Sequence, residues 1–200
     1  MLIKKLLKDS SQEIDQIVED KLEKYLAILC KWNKTRNLVS RNLSKVELAK
    51  HIYDCICLMP LLDDEPIIDI GTGAGLPGII ISIMDKNKSV TLIEPNKKKI
   101  SFLLHIQADM GLKNLIIKEE RIENAVFNSE GIIVARAFTE PNKFIQILEK
   151  KNIKNNRIIM MVSQDIKILN PNWQAVYTTS EAEQALEKKR GFLNISRNKN

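Results

Sequence analysis

Residues 67–78 read Ile-Ile-Asp-Ile-Gly-Thr-Gly-Ala-Gly-Leu-Pro-Gly, an apolar run that breaks into glycines before apolar residues resume. The isoleucines are typical of a buried parallel strand. Gly71, Gly73 and Gly75 permit positive φ angles and let a ligand approach the backbone. A helix is predicted from about 76 to 84, and its free N–H groups would point at that ligand. The stretch therefore predicts the strand, loop and helix that open a nucleotide-type binding site.

The spacing of the glycines narrows the choice of ligand. A dinucleotide fingerprint would have its third glycine where Leu76 stands, and the sequence contains no P-loop motif. The next predicted strand, 90–93, ends at Glu94, whose carboxylate can accept hydrogen bonds from both ribose hydroxyls. The form Gly-x-Gly-x-Gly with such an acid favours S-adenosylmethionine. A nicotinamide-dependent oxidoreductase is the alternative.

Length and composition indicate one globular unit. The chain has 200 residues with a net charge of +6, and no apolar stretch is long enough to cross a membrane. The N-terminal ten residues lack the continuous apolar region of a signal peptide. The three cysteines lie in helix-like apolar contexts, as reduced thiols do. We expect a cytoplasmic monomer without a membrane partner.

The positive charge is concentrated in two places, which we call the first and second basic segments. Residues 31–50 contain six basic residues and a single acid, and residues 188–200 contain five basic residues and no acid. Such segments attract polyanions, nucleic acid first. A solvated lysine-rich surface is the alternative explanation.

Strands and helices alternate from residue 67 onward, which predicts a mostly parallel sheet with helices on both faces. Strands are predicted at 67–70, 90–93, 115–118, 131–135 and 157–163, and helices at 76–84, 96–110, about 121–127 and 140–151. Two further β segments, 173–178 and 192–196, flank a helical stretch at 181–189 and would complete seven strands, the last one antiparallel.

The first 62 residues predict a helical extension packed on the core formed by residues 63–200. A capping box at Ser10 and Glu13 would begin a helix that ends near Cys30. The polar residues 31–44 predict a loop, and a second helix is predicted from about Ser44 to Met59.

Two further places in the sequence carry side chains that could take part in chemistry. His51, Asp54, Cys55 and Cys57 superficially suggest a metal site, but on a helix Cys57 points away from the others and no second ligand pair follows. We expect a packed helix with one polar pair and no metal. Arg136 ends a predicted buried strand at the ligand edge of the sheet, so it requires a partner, either a ligand or an acidic side chain.

Several motifs in order resemble one family. They are Asn37-Leu38-Val39-Ser40, His51-x-x-Asp54, the glycine stretch from Asp69 to Gly78, Arg121-Ile122-Glu123 and Ala135-Arg136-Ala137. Together they resemble the glucose-inhibited division protein B family, bacterial enzymes that methylate N7 of a guanine in 16S ribosomal RNA with S-adenosylmethionine. The resemblance implies a Rossmann-like class I methyltransferase fold, and as substrate the 16S rRNA or the small ribosomal subunit.

The resemblance also implies a site. Cofactor contacts would come from Gly71, Gly73, Leu76, Glu94, Ile122 and Glu123, with Arg136 at the mouth of the active site. Guanine N7 carries a free lone pair, so no catalytic base is required. Lys34, Arg36 and Arg41 of the first basic segment would hold RNA phosphates, and Trp32 is a candidate stacking surface. A non-catalytic RNA-binding protein that keeps a cofactor pocket is the remaining alternative.

Overall fold

A seven-stranded sheet forms the centre of the protein in a computed structural model that describes residues 1–8, 14–126, 131–153 and 157–198. The strands lie in the order β3-β2-β1-β4-β5-β7-β6. The first five are parallel, and β7 runs antiparallel to both of its neighbours, as predicted. The strands are β1 Ile67–Ile70, β2 Val90–Ile93, β3 Leu115–Lys118, β4 Ile132–Arg136, β5 Arg157–Val162, β6 Trp173–Thr179 and β7 Gly191–Arg197.

Seven α-helices and one short 3-10 helix surround the sheet in the described ranges. They are α1 Leu2–Leu7, α2 Gln16–Arg36, α3 Lys45–Ile56, the 3-10 helix Met59–Leu61, α4 Gly78–Met84, α5 Lys97–Met110, α6 Pro141–Lys150 and α7 Ala182–Leu186. None of the described helices is long and apolar enough to cross a membrane.

Alternation along the strands divides the core between the two faces of the sheet. Ile67 of β1 faces a core that also contains Leu26 of α2 and Ile106 of α5, whereas Ile68 and Ile70 face a second core with Phe144 of α6. The N-terminal helices therefore share a continuous hydrophobic core with one face of the sheet.

The predicted end of α2 near Cys30 is wrong, because the helix continues to Arg36. Asn37 adopts a left-handed conformation and donates its backbone N–H to the carbonyl of Asn33. The side chain of Asn33 also accepts the N–H of Val39 at 3.0 Å. Asparagine suits such a left-handed position at a helix end, so these polar residues cap the helix rather than form a loop from 31. The predicted capping box at Ser10 lies outside the described residues.

Other boundaries were also misplaced. Helix α3 has Ser44 as its N-cap, with a complete capping box to Glu47, but it ends at Ile56, three residues before the predicted end. Helix α4 begins at Gly78, and α7 is limited to Ala182–Leu186 because Glu187 is left-handed. The helix predicted at 121–127 is wrong over its described part, where one turn suffices to bury Ile122 and Ala125. Residues 127–130 lie outside the described ranges.

Candidate functional site

The glycine loop lies at the carboxyl edge of the parallel strands, between β1 and α4. The backbone N–H of Gly71 donates to the carbonyl of Ile93 at 2.9 Å, which fixes the loop to the end of β2. Gly71 has φ +70°, and a Cβ there would lie 2.2 Å from Phe138 Cδ2. Only glycine meets both conditions, since other residues would be strained in backbone and in space. The loop is thus held in a shape that other sequences could not adopt.

Glu94 closes the loop from the adjacent strand. Its Oε2 accepts the N–H of Gly73 at 3.0 Å, its Oε1 accepts the N–H of Asn96 at 2.9 Å, and Lys99 Nζ lies 3.7 Å from Oε2. The residue is only 4% exposed. Each carboxylate oxygen keeps acceptor capacity beyond these backbone bonds. Glu94 is therefore joined to the glycine loop, with lone pairs left for hydroxyl groups, and its predicted contact with ribose hydroxyls stays a prediction.

Open space lies in front of Gly73. The nearest described atoms to a Cβ built there would be Lys99 Nζ at 3.8 Å and the carbonyl oxygen of Gly71 at 3.9 Å. A cavity of about 80 Å³ lies beside Gly71 at the same edge. Its lining comprises Ile70, Gly71, Ile93, Pro95, Glu120, Arg121, Ile122, Glu123 and Phe138. This volume is well below that of pockets that enclose whole ligands, so the cavity can take one flat, apolar part of a ligand.

The predicted contact residues fall into two groups. Gly71, Ile122 and Glu123 line this cavity. Leu76 is 5% exposed and packs in the core shared with the N-terminal helices. The cofactor contacts of all four residues stay predictions.

Asp69 supports the loop from below. It is fully buried, and its Oδ2 accepts the hydroxyl of Thr72 at 2.5 Å and the N–H of Gly78 at 2.7 Å. Its Oδ1 is buried without a hydrogen-bond partner among the described residues. Burial raises the pKa of Asp69 to about 7. One carboxyl group therefore ties the beginning of the loop to the first turn of α4.

Tyr25 also supports the loop. Its hydroxyl donates to the carbonyl of Ala74 at 2.7 Å, and the side chain is completely buried in α2. Burial raises the pKa of Tyr25 well above its usual value, so the hydroxyl is a permanent donor at neutral pH. Sequence reasoning missed this residue, because helical spacing marks it as core and carries no sign of its hydrogen bond.

Arg136 lies at the end of β4 and contacts α3. Its Nη2 lies 2.7 Å from His51 Nδ1, and its Nε lies 3.6 Å from Asp54 Oδ2. Arg190 Nε approaches the same Asp54 oxygen from the other side at 3.9 Å. We call these four residues the Asp54 cluster. Arg136 does not line the cavity beside Gly71, and Asp54 is an acidic side chain beside it; its contact with a ligand stays a prediction.

The Asp54 cluster explains the motif that superficially suggested a metal. A guanidinium only donates, so His51 Nδ1 must be the acceptor and the ring proton lies on Nε2. Burial and the neighbouring Arg136 lower the pKa of His51 to about 4. Cys55 is buried in the core, and burial raises the pKa of its thiol. Within the described ranges, no three His, Cys, Asp or Glu side chains are grouped to hold a metal ion.

Helix α2 runs antiparallel to α5, which brings the first basic segment to the cofactor edge. Lys24 Nζ lies 2.8 Å from Asp109 Oδ2 near the end of α5, whereas Trp32 packs on Phe102, with ring centroids 5.5 Å apart. The end of α2 therefore approaches the beginning of α5, which directly follows β2 and Glu94.

The predicted RNA-binding side chains lie at or near that end of α2. Lys34, Arg36 and Arg41 are all exposed, and the Arg41 side chain donates to that of Asn37. Trp32 is half-buried, and its ring also packs on His105. Trp32 therefore has a packing role, and its stacking on RNA stays a prediction.

Comparison with known proteins gives consistent matches. The family described as rRNA small subunit methyltransferase G (GidB) matches residues 18–192. The chain is 31% identical over 163 residues to ribosomal RNA small subunit methyltransferase G of Nitrosomonas europaea, covering 78% of this chain and 75% of that protein. The protein of the same name from Francisella tularensis subsp. tularensis is 28% identical over 202 residues, covering 98% and 95% respectively.

Solved structures agree on the fold. A SAM-dependent methyltransferase from Aquifex aeolicus matches with a TM-score of 0.52 and 15% identity, covering 73% of this chain and 90% of that one. Coclaurine N-methyltransferase, solved with N-methylheliamine and SAH, has a TM-score of 0.52 and 12% identity, covering 80% and 55%. These likenesses place the chain in the class I methyltransferase fold.

Proposed function

The chain belongs to the rRNA small subunit methyltransferase G family, and on that premise we propose that it methylates N7 of a guanine in a loop of 16S ribosomal RNA. The methyl donor is S-adenosylmethionine. The observation that carries the proposal is the contact between Glu94 and the glycine loop at the carboxyl edge of the sheet.

The residues at this edge fit S-adenosylmethionine. Glu94 has free lone pairs for the ribose hydroxyls and lies beside the open space at Gly73. The apolar cavity between Gly71 and Ile122 suits the flat adenine ring. When bound, the cofactor supplies an electrophilic methyl group on a sulfonium sulfur. We propose that Gly71, Gly73, Glu94, Ile122 and Glu123 hold it.

The contribution of the protein to the reaction is positioning. Guanine N7 has an in-plane lone pair and no proton to lose, so the step needs alignment rather than a base. Asp69 of β1 and Tyr25 of α2 fix the glycine loop through their hydrogen bonds. A target base in an RNA loop can leave the stack and enter the edge of the sheet.

We propose for Arg136 a role other than the one that the resemblance implies. Its guanidinium is engaged by His51 and Asp54. We propose that it fixes the end of β4 against α3 and so shapes the rim of the active site. Its effect on the cofactor is then indirect.

Methyl transfer to isolated small ribosomal subunits tests the proposed activity. Small ribosomal subunits from cells that lack this gene would be incubated with the protein and S-adenosylmethionine carrying a labelled methyl group. We expect label in the 16S RNA, and primer extension after cleavage at 7-methylguanosine should map it to one loop. Tight binding of RNA and cofactor without any transfer would instead identify a non-catalytic RNA-binding protein.

The proposed RNA contacts have their own test. Replacing Lys34, Arg36 and Arg41 together with alanine removes three exposed charges near the end of α2. RNA affinity should fall. The plot of log affinity against log salt should become less steep, by about 0.7–0.9 for each lost phosphate contact. Cofactor affinity should be unchanged. An identical slope would remove these side chains from the RNA surface.

A further inference from the structure

The two basic segments, separated by well over a hundred residues in sequence, meet in one cleft. A cavity of about 200 Å³ lies between α3 and the residues that lead into β7. Lys50 of the first basic segment lines one wall, and Lys188 and Arg190 of the second line the other. We propose that this cleft binds the phosphate backbone of the substrate RNA beside the target guanine, an inference that rests on the proposed function.

The position of the cleft connects it to the active edge. Gly191, the first residue of β7, pairs with Val162, the last residue of β5. The turn at 187–190 therefore lies at the carboxyl edge of the parallel strands, where the glycine loop also lies. His51 lines the cleft and contacts Arg136 at the end of β4. A single RNA strand can thus contact the cleft while its base reaches the cofactor site.

The polar groups of the cleft are predominantly hydrogen-bond donors. Lys50 is half-buried and Lys188 is exposed, and each carries an ammonium group. His51 contributes an Nε2–H, because its Nδ1 is occupied by Arg136. Arg190 Nε is buried and forms no hydrogen bond within the described part of the chain, since Asp54 lies at 3.9 Å. Phosphate oxygens can accept from the ammonium groups of Lys50 and Lys188 and from the Nε2–H of His51, whereas Arg190, whose Nε faces Asp54, contributes positive charge.

Two acidic side chains also line the cleft, Glu47 and Glu187, so three positive and two negative side chains leave its lining with a small net positive charge. Glu47 is committed to the start of α3, where its Oε2 accepts the N–H of Ser44 at 2.7 Å. Glu187 is exposed and adjacent in sequence to Lys188. Two leucines, Leu43 and Leu186, supply an apolar floor. Charged donors above an apolar floor suit a phosphate with its sugar.

The turn that carries the donors is fixed in place. The carbonyl of Arg190 accepts the N–H of Ser180 at 2.9 Å, and the backbone N–H of Arg190 donates to Glu183 Oε2 at 3.3 Å. The cleft is therefore preorganised, which lowers the entropic cost of binding.

Salt-dependent RNA binding tests the proposal. The variant Lys50→Gln with Lys188→Gln would be compared with wild type for binding an unmodified 16S RNA transcript over a range of potassium chloride concentrations. We expect the slope of log affinity against log salt to decrease by about 1–2, as each lost phosphate contact predicts. Glu187→Gln should act in the opposite direction and tighten binding at low salt.

A matched control removes the same charge elsewhere. Lys86 and Lys113 are exposed and lie in the connections that lead into β2 and β3, at the opposite edge of the sheet. Lys86→Gln with Lys113→Gln should leave the slope unchanged. Equal slopes in the two double variants would overturn the cleft as an RNA site. If wild type methylates the RNA and the two double variants have equal slopes, the cleft is refuted and the proposed function stands. If the Lys50→Gln, Lys188→Gln variant has a reduced slope but wild type transfers no methyl group, the proposed function is refuted and the cleft stands.

Discussion

Replacing Asp69 with asparagine should change how stability depends on pH. The side chain is fully buried and its pKa is raised to about 7, mainly because burial disfavours the charged carboxylate. Asparagine keeps one oxygen to accept the Thr72 hydroxyl and the Gly78 N–H, the two bonds that Asp69 Oδ2 now accepts. The substitution therefore removes the titration while keeping the acceptor of the loop.

The sign and size of the effect follow from linkage. Between pH 4 and 7 the unfolded carboxyl is ionised while the folded one holds its proton, so the stability that this proton supplies is lost as the pH rises. The difference between a pKa of about 7 and the ordinary value of 3.8 corresponds to about 4 kcal/mol in total. About 2–3 kcal/mol of this falls between pH 5 and 8.

Urea unfolding at several pH values measures the effect. The free energy of unfolding of wild type minus that of Asp69→Asn should decrease by about 2–3 kcal/mol from pH 5 to pH 8. His51, whose pKa is lowered to about 4, contributes in the opposite direction, with stability lost as the pH falls from about 6.5. That contribution is common to both proteins and cancels. Parallel profiles would refute the buried, protonated state of Asp69.

Three further substitutions test the surroundings of the cofactor. Gly73→Asp should abolish S-adenosylmethionine binding, measured by calorimetry. The control Gly111→Asp should retain it, because Gly111 has the same φ of +63° and nothing lies within 4 Å of a Cβ built there. Equal affinities of the two variants would place the cofactor elsewhere. Tyr25→Phe leaves the buried carbonyl of Ala74 unpaired, so the free energy of unfolding should fall by about 1–3 kcal/mol and cofactor affinity should weaken. Arg136→Lys should lower the melting temperature and the rate of methyl transfer together, because the contact of the planar guanidinium with α3 is lost. An unchanged melting temperature with a tenfold or greater loss of transfer would instead assign Arg136 to the substrate.

The part of the chain in which strands and helices alternate was predictable from sequence. There, the local hydrophobic pattern of each segment agrees with its position in the folded protein. β1 and β2 have their predicted bounds, since β-branched runs between glycines and turns have few other structures available. Glu94 was predictable at its site because a strand end fixes where a side chain can lie. The position of Tyr25 was not, since a buried tyrosine in a helix gives no sequence signal for its distant partner.

The Asp54 cluster shows why the rest required the structure. Asp54 and Arg190 are far apart in sequence, and their contact depends on β7 entering the sheet between β5 and β6. Sequence periodicity predicts that a strand forms but not which neighbours it takes. The end of α2 was missed for a related reason, since asparagine-rich residues predict either a loop or a cap, and Asn33 and Asn37 form the cap.

The position of β7 also bears on how the enzyme is made. β6 pairs with β7 alone in the sheet, yet the ribosome synthesises β6 first. A nascent chain that ends after β6 exposes the edge of β5 and holds a strand without a neighbour. Arg190 directly precedes β7, so the wall of the RNA cleft is assembled in the same step that completes the sheet. A growing chain would therefore complete this cleft only after its other strands are made.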